Sequence, residues 1–77
     1  MRVKILAPYG CDVSALDEKS WAELPEGANV ADALKMIRCG RLRARILLVS
    51  VNGERASAGR ILHDGDVVGF FVPVSGG

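Results

Sequence analysis

Histidine is nearly absent from this 77-residue chain, which holds one, and cysteine is scarce, with two. A structural or catalytic metal needs several His, Cys or acidic ligands at close spacing. With His63 alone, and Cys11 and Cys39 in no CxxC or His/Cys cluster, no zinc set is expected. Two reduced thiols are expected instead, one in a loop and one at a helix end, with a disulfide between them left open. An excess of charge of one sign is missing as well. Ten Lys and Arg meet nine Asp and Glu, a net charge of +1, so no field declares a nucleic-acid or membrane partner. The opening stretch MRVKILAPYG is too short an apolar run for a signal peptide or a membrane span, and a cytoplasmic location is the expectation. Repeats, linkers and low-complexity segments are also lacking.

Length sets a further limit. A chain this short forms one domain and buries only about 60% of the surface its unfolded form exposes. It cannot wall off a deep pocket and keep a core, so a carrier, a binding module or a subunit is favoured over a self-sufficient enzyme.

What is present reads as alternating strands around one helix. Val3, Ile5 and Ala7 alternate with Arg2, Lys4 and Leu6, a strand ended by Pro8, Gly10 and Asp12. Ser20–Leu24 alternates weakly and stops at the turn Pro25-Glu26-Gly27. Asn29 is a good N-cap with Asp32 three residues on, and Val30, Leu34 and Ile37 form one apolar stripe. The pattern predicts a helix over Val30–Cys39 stopped by Gly40. Ile46–Val51 is the densest apolar run and ends at Asn52-Gly53, a strong hairpin signal, with Glu54–Ser57 as the return strand. After the turn Asp64-Gly65-Asp66, Val67–Val72 is apolar on both sides and so central. A hairpin, a crossover helix and a second strand group with a central last strand predict an α+β fold. It is a β-grasp, ubiquitin-like domain with a mixed sheet of four to five strands and one main crossover helix over residues 1–72.

Residues 73–77, Pro73-Val74-Ser75-Gly76-Gly77, are left over. Proline ends the ladder and paired glycines add nothing to a core, so a flexible tail of roughly 17 Å when extended is expected. A frayed terminus is the plain explanation. The chemical one is that a bare Gly-Gly end can enter a narrow channel in a partner, where its unhindered carboxylate can be activated and attacked by sulfur.

The run Phe70–Gly77 (FFVPVSGG), with L-x-D-G-D at Leu62–Asp66 and V-N-G at Val51–Gly53, resembles the ThiS/MoaD family of ubiquitin-like sulfur carriers. Within it the run is closest to the small subunit of molybdopterin synthase. The resemblance is specific over Val51–Gly77 and elsewhere extends to length and element order. It implies that the Gly77 carboxylate is the working group, adenylated by an E1-like, MoeB/ThiF-like adenylyltransferase that uses ATP, and then converted to a thiocarboxylate. Gly76, Ser75 and Val74 would thread into the partner. Phe71, Phe70 and Pro73 would contact it at the base of the tail. In molybdopterin synthesis a MoaE-like large subunit supplies the catalytic side chains, and the carrier, itself no enzyme, donates sulfur. No metal or bound cofactor is implied. The family's usual aromatic late in the first strand is replaced here by Leu6-Ala7-Pro8, followed by Tyr9.

Other signals weigh less. Arg38, Arg41, Arg43 and Arg45 form a basic cluster without interleaved aromatics, better suited to a solvated loop, with an acidic partner surface as the next reading and RNA after it. His63 has no partner in a catalytic spacing. Of adjacent Phe70 and Phe71, which face opposite sides of a strand, one belongs in the core and the other is left for a contact. Trp21 suits packing on an outer strand. Sulfur transfer to thiamin or to tRNA shares the tail chemistry, as does a ubiquitin-like modifier with Gly77 joined to a target lysine. A different class, a TGS-like module binding RNA or a partner, would explain Asp64–Val67 but not the Gly-Gly end.

Overall fold

In the computed structural model, which describes residues 1–40 and 47–72, alternation decides the first strand. Along β1 (Arg2–Leu6), Val3 and Ile5 are buried while Arg2 and Leu6 are exposed, the period of two that a half-buried strand requires. β2 (Trp21–Glu23) pairs antiparallel to it, Arg2 opposite Glu23 and Lys4 opposite Trp21, with Ala22 turned into the core. The Arg2 guanidinium lies 5.2 Å from the Trp21 ring centroid, so Trp21 packs on an outer strand as expected.

The helix α1 (Val30–Leu34) starts where the capping signals put it. The Asn29 side chain accepts from the Asp32 N–H at 3.0 Å, and the Asp32 carboxylate accepts from the Asn29 N–H at 2.9 Å. It ends earlier than the stripe predicts, at Leu34 rather than Cys39. From Met36 the amides reach back three residues, Met36 to Ala33 and Ile37 to Leu34, the tighter winding that closes helices. Arg38 then exchanges two backbone hydrogen bonds with Asp12, at 2.8 and 3.0 Å, which takes the chain out of helical geometry. Ile37 remains buried beside Val30 and Ala33, so the stripe still packs although its second half is not α-helical. Gly40 is left-handed, φ +81°, but lies beyond the helix end at Leu34 and so is not its stop.

That bridge also corrects the expectation for the cysteines. Next to a hydrogen-bonded antiparallel pair comes a close pair that shares no backbone hydrogen bond, with Cα atoms about 4.5 Å apart. Flanking Asp12 and Arg38, that position belongs to Cys11 and Cys39. Their Cα atoms are 4.4 Å apart and their sulfurs are joined in a disulfide.

β3 (Leu48–Val51) and β4 (Glu54–Arg55) form a hairpin, and β5 (Val67–Phe71) closes the sheet. Asn52 and Gly53 both have positive φ, 52° and 85°, as the tight turn requires. Both hairpin strands are shorter than the expected Ile46–Val51 and Glu54–Ser57, and Ile46 lies outside the described residues. The described strands run in the order β2-β1-β5-β3-β4. β5 is central, parallel to β1 and antiparallel to β3. This is the β-grasp arrangement, with α1 on one face over a core of Val3, Ile5, Val51, Leu62, Val68 and Phe70. Between the short helix and β3, an apolar hollow of about 230 Å³ is lined by Val30, Leu34, Val49 and Phe70, among others. Among the described residues no helix is long and apolar enough to cross a membrane.

Candidate functional site

β5 delivers the chain to the end of the sheet. Its register fixes which side chains surround that exit. Leu6 is opposite Gly69 on one side, and on the other Leu48 is opposite Phe71 and Ser50 opposite Gly69. Because facing residues share a side of the sheet, Leu6, Gly69, Phe71 and Leu48 lie together on the face away from α1. Leu6 is 47% exposed, Phe71 43% and Val72 38%. Gly69 keeps the centre of this patch flat, since a Cβ there would stand 3.0 Å from the Ser50 hydroxyl. Phe70 points the other way and is 5% exposed. Of the two phenylalanines, then, Phe70 is a core residue and Phe71 is available for a contact.

The start of β5 is locked by the sequence motifs themselves. The Asn52 amide oxygen accepts from the Val67 N–H at 2.9 Å, and its NH₂ donates to Asp66 at 2.9 Å. The second Asp66 oxygen accepts from the His63 N–H at 2.8 Å, while Asp64 accepts from the Arg2 N–H at 2.8 Å. The V-N-G and L-x-D-G-D motifs are thus two halves of one clasp that sets where the final strand begins. Partial burial pushes the Asp66 carboxyl up, but the His63 N–H, the Asn52 amide and the nearby His63 and Arg60 charges outweigh it, and its pKa falls below the ordinary 3.8. The His63 imidazole is exposed, with its Nδ1 4.0 Å from Asp66. Among the described residues, no group of three His, Cys, Asp or Glu could hold a metal ion.

Pro73, Val74, Ser75, Gly76 and Gly77 lie outside the described residues, as do Arg41, Arg43 and Arg45 of the basic cluster. Arg38 is described, and its backbone carries the bridge to Asp12. Sequence reasoning missed Leu6 and Gly69 as neighbours of the exit and missed the pairing of Cys11 with Cys39. Only the exposed position of Leu6 in the alternation hinted at the first, and nothing in the spacing at the second.

The family model of the ThiS family matches residues 12–77, which include the clasp, the central strand and the Gly-Gly end. The chain belongs to the ThiS family. That is a family of ubiquitin-like sulfur carriers, small proteins that are not enzymes themselves and work with E1-like activating enzymes and with enzymes that accept the sulfur. Among solved structures, the crystal structure of SAMP1 from Haloferax volcanii is similar over 100% of both chains, with a TM-score of 0.67 and 23% identity. At that identity the likeness supports the fold, and it agrees with the β-grasp topology of this ThiS-family chain. A comparison with curated proteins gave no match.

Proposed function

We propose that this ThiS-family chain carries sulfur on its terminal Gly77 as a thiocarboxylate and supplies it to molybdopterin synthesis. The observation that supports this most is the placing of the exit. A clasped central strand leads toward the Gly-Gly sequence from a flat apolar patch of Leu6, Gly69, Leu48 and Phe71. Such a patch is what a partner needs to hold the domain while the residues after Val72 reach its active site.

The chemistry belongs to the partner's site and to the carboxylate. The Gly77 carboxylate oxygen attacks the α-phosphorus of ATP on an E1-like adenylyltransferase of the MoeB/ThiF kind, and pyrophosphate leaves. A hydrosulfide-equivalent donor then attacks the acyl carbon and AMP leaves, giving the thiocarboxylate and one proton. Gly76, Ser75 and Val74 lie in the partner's channel, where side chains would obstruct. Phe71 and Pro73 make contact at its mouth, while Phe70 supports Phe71 from the core. The Phe-Phe-Val-Pro run favours a MoaE-like synthase subunit as the acceptor of the sulfur, with no cofactor held by the carrier.

The test is an intact mass spectrum after incubation with ATP, a sulfur donor and an E1-like enzyme. The expected result is a gain equal to one oxygen replaced by sulfur, absent when Gly77 is deleted. Gly77 found instead in isopeptide linkage to lysines would assign the chain to protein modification. An unchanged mass with an enzyme active on another carrier would overturn both.

A further inference from the structure

The Cys11–Cys39 disulfide stands at the tail end of the molecule. β1 runs parallel to β5, so both leave the sheet at the same end. Cys11 follows Leu6, the last residue of β1, by five positions. β3 runs antiparallel to β5, so it enters at that end, and Cys39 precedes it on the connection from α1. The bond therefore ties the connection that leaves β1 to the one that leads from α1 toward β3, the two strands that pair with β5. Asp12 and Arg38 exchange two backbone hydrogen bonds, and a cleft of about 210 Å³ lined by Asp12, Ser14, Ala15, Met36 and Arg38 separates the segments next to them. Both cysteines are half-buried, and neither belongs to the fully buried core, although Cys39 packs against it.

From this placement we propose that Cys11 and Cys39 form a reversible thiol–disulfide site that regulates how the tail end engages its activating enzyme. The proposal rests on the sulfur-carrier reading for its consequence but not for its chemistry. A dithiol reductant attacks one sulfur as thiolate, and a mixed disulfide forms as the other cysteine leaves. The reductant's second thiol closes its own disulfide and frees the first. Two electrons and two protons pass to the protein, giving two thiols, and the dithiol is oxidised to its disulfide. Oxidised, the site holds both connections against each other. Reduced, they lose that covalent tie while the Asp12–Arg38 backbone pairing remains, and the docking end loses part of its preorganisation, which raises the cost of binding.

Dithiothreitol is the probe, used on the full chain. Alkylation with and without it counts free thiols by mass, and hydrogen exchange follows the Asp12 and Arg38 amides against those of Val51 and Val68. The expected result is no free thiol before reduction and two after it. Exchange at Asp12 and Arg38 should become about tenfold faster, while the Val51 and Val68 amides, which exchange through global unfolding, should accelerate with the fall in stability yet stay protected. In steady-state activation, KM for the carrier should rise severalfold with kcat nearly unchanged. The Cys11→Ser, Cys39→Ser double variant should reproduce the reduced state and not respond to dithiothreitol. Free thiols in the air-equilibrated protein, core amides that exchange as if unfolded on reduction, or equal KM in both states would each overturn the proposal. If neither form is ever activated, the carrier reading and with it the regulatory consequence fail, while thiol count and exchange still decide the redox site.

Discussion

Asn52 does two jobs that a single residue seldom combines. Its backbone is left-handed, φ 52°, and its side chain ties both the Val67 N–H and the Asp66 carboxylate. These can be separated. Asn52→Gly keeps the turn and loses the clasp, whereas Asn52→Ala loses the clasp and adds strain. Both should lower stability in urea unfolding, Asn52→Gly by about 1–2 kcal/mol and Asn52→Ala by more. Equal stability of Asn52→Gly and wild type would remove the clasp from the account. Asp66 carries the pH dependence. Its folded pKa lies below its unfolded value of 3.8, so the unfolded state binds the proton more readily. The stabilisation is complete well above pH 3.8 and is lost as pH falls through the lower folded value. Asp17, lowered first by the Trp21 N–H and then, against an opposing desolvation, by the Lys19 N–H and by Arg2, titrates in the same sense. Asp66→Asn should therefore flatten part of the acid limb in urea titrations between neutral pH and pH 3, and an unchanged limb would count against the clasp carboxylate.

At the scale of elements, one face of β5 is packed in the core and the other is open, and the proposed function gives recognition to the open one. Phe70→Ala empties a packed position in the core and should cost about 3–5 kcal/mol. Phe71→Ala, on the open face, should change the unfolding midpoint little but weaken capture by the activating enzyme at least severalfold. If Phe71→Ala destabilises as much as Phe70→Ala, or leaves binding untouched, the open face is not the docking surface. How far the elements were legible follows the same division. β1, the Asn52-Gly53 turn and the central place of β5 were readable because alternation and positive-φ residues act over a few neighbours. The helix was over-read by five residues, because its stripe reports burial, and Ile37 is buried without being α-helical. What ended it was the pairing of Arg38 with Asp12, 26 positions away, and no local pattern carries such a contact. The exit patch was half legible for the same reason. Phe71 could be named from the strand, but Leu6 joins it only through the parallel register.

The whole molecule is small enough that one covalent link matters to its stability. The Cys11–Cys39 bond closes a loop with a sequence separation of 28, spanning β2 and α1. In the chain-entropy account a loop of that length restricts the unfolded ensemble by about 3–4 kcal/mol. Set against the 5–15 kcal/mol typical of domains, with short chains near the lower limit, this is a large share but not the whole. The twelve buried apolar core residues among the described residues, with neither cysteine among them, leave the reduced chain a folded state to occupy. Urea unfolding with and without dithiothreitol tests this directly. The midpoint should fall on reduction, and the slope m should rise because the unlinked unfolded chain exposes more surface. A lower midpoint with unchanged m would place the effect in the folded state, as lost contacts between the two connections. No change in either would mean that the Asp12–Arg38 pairing and the core hold the first half of the chain without the link.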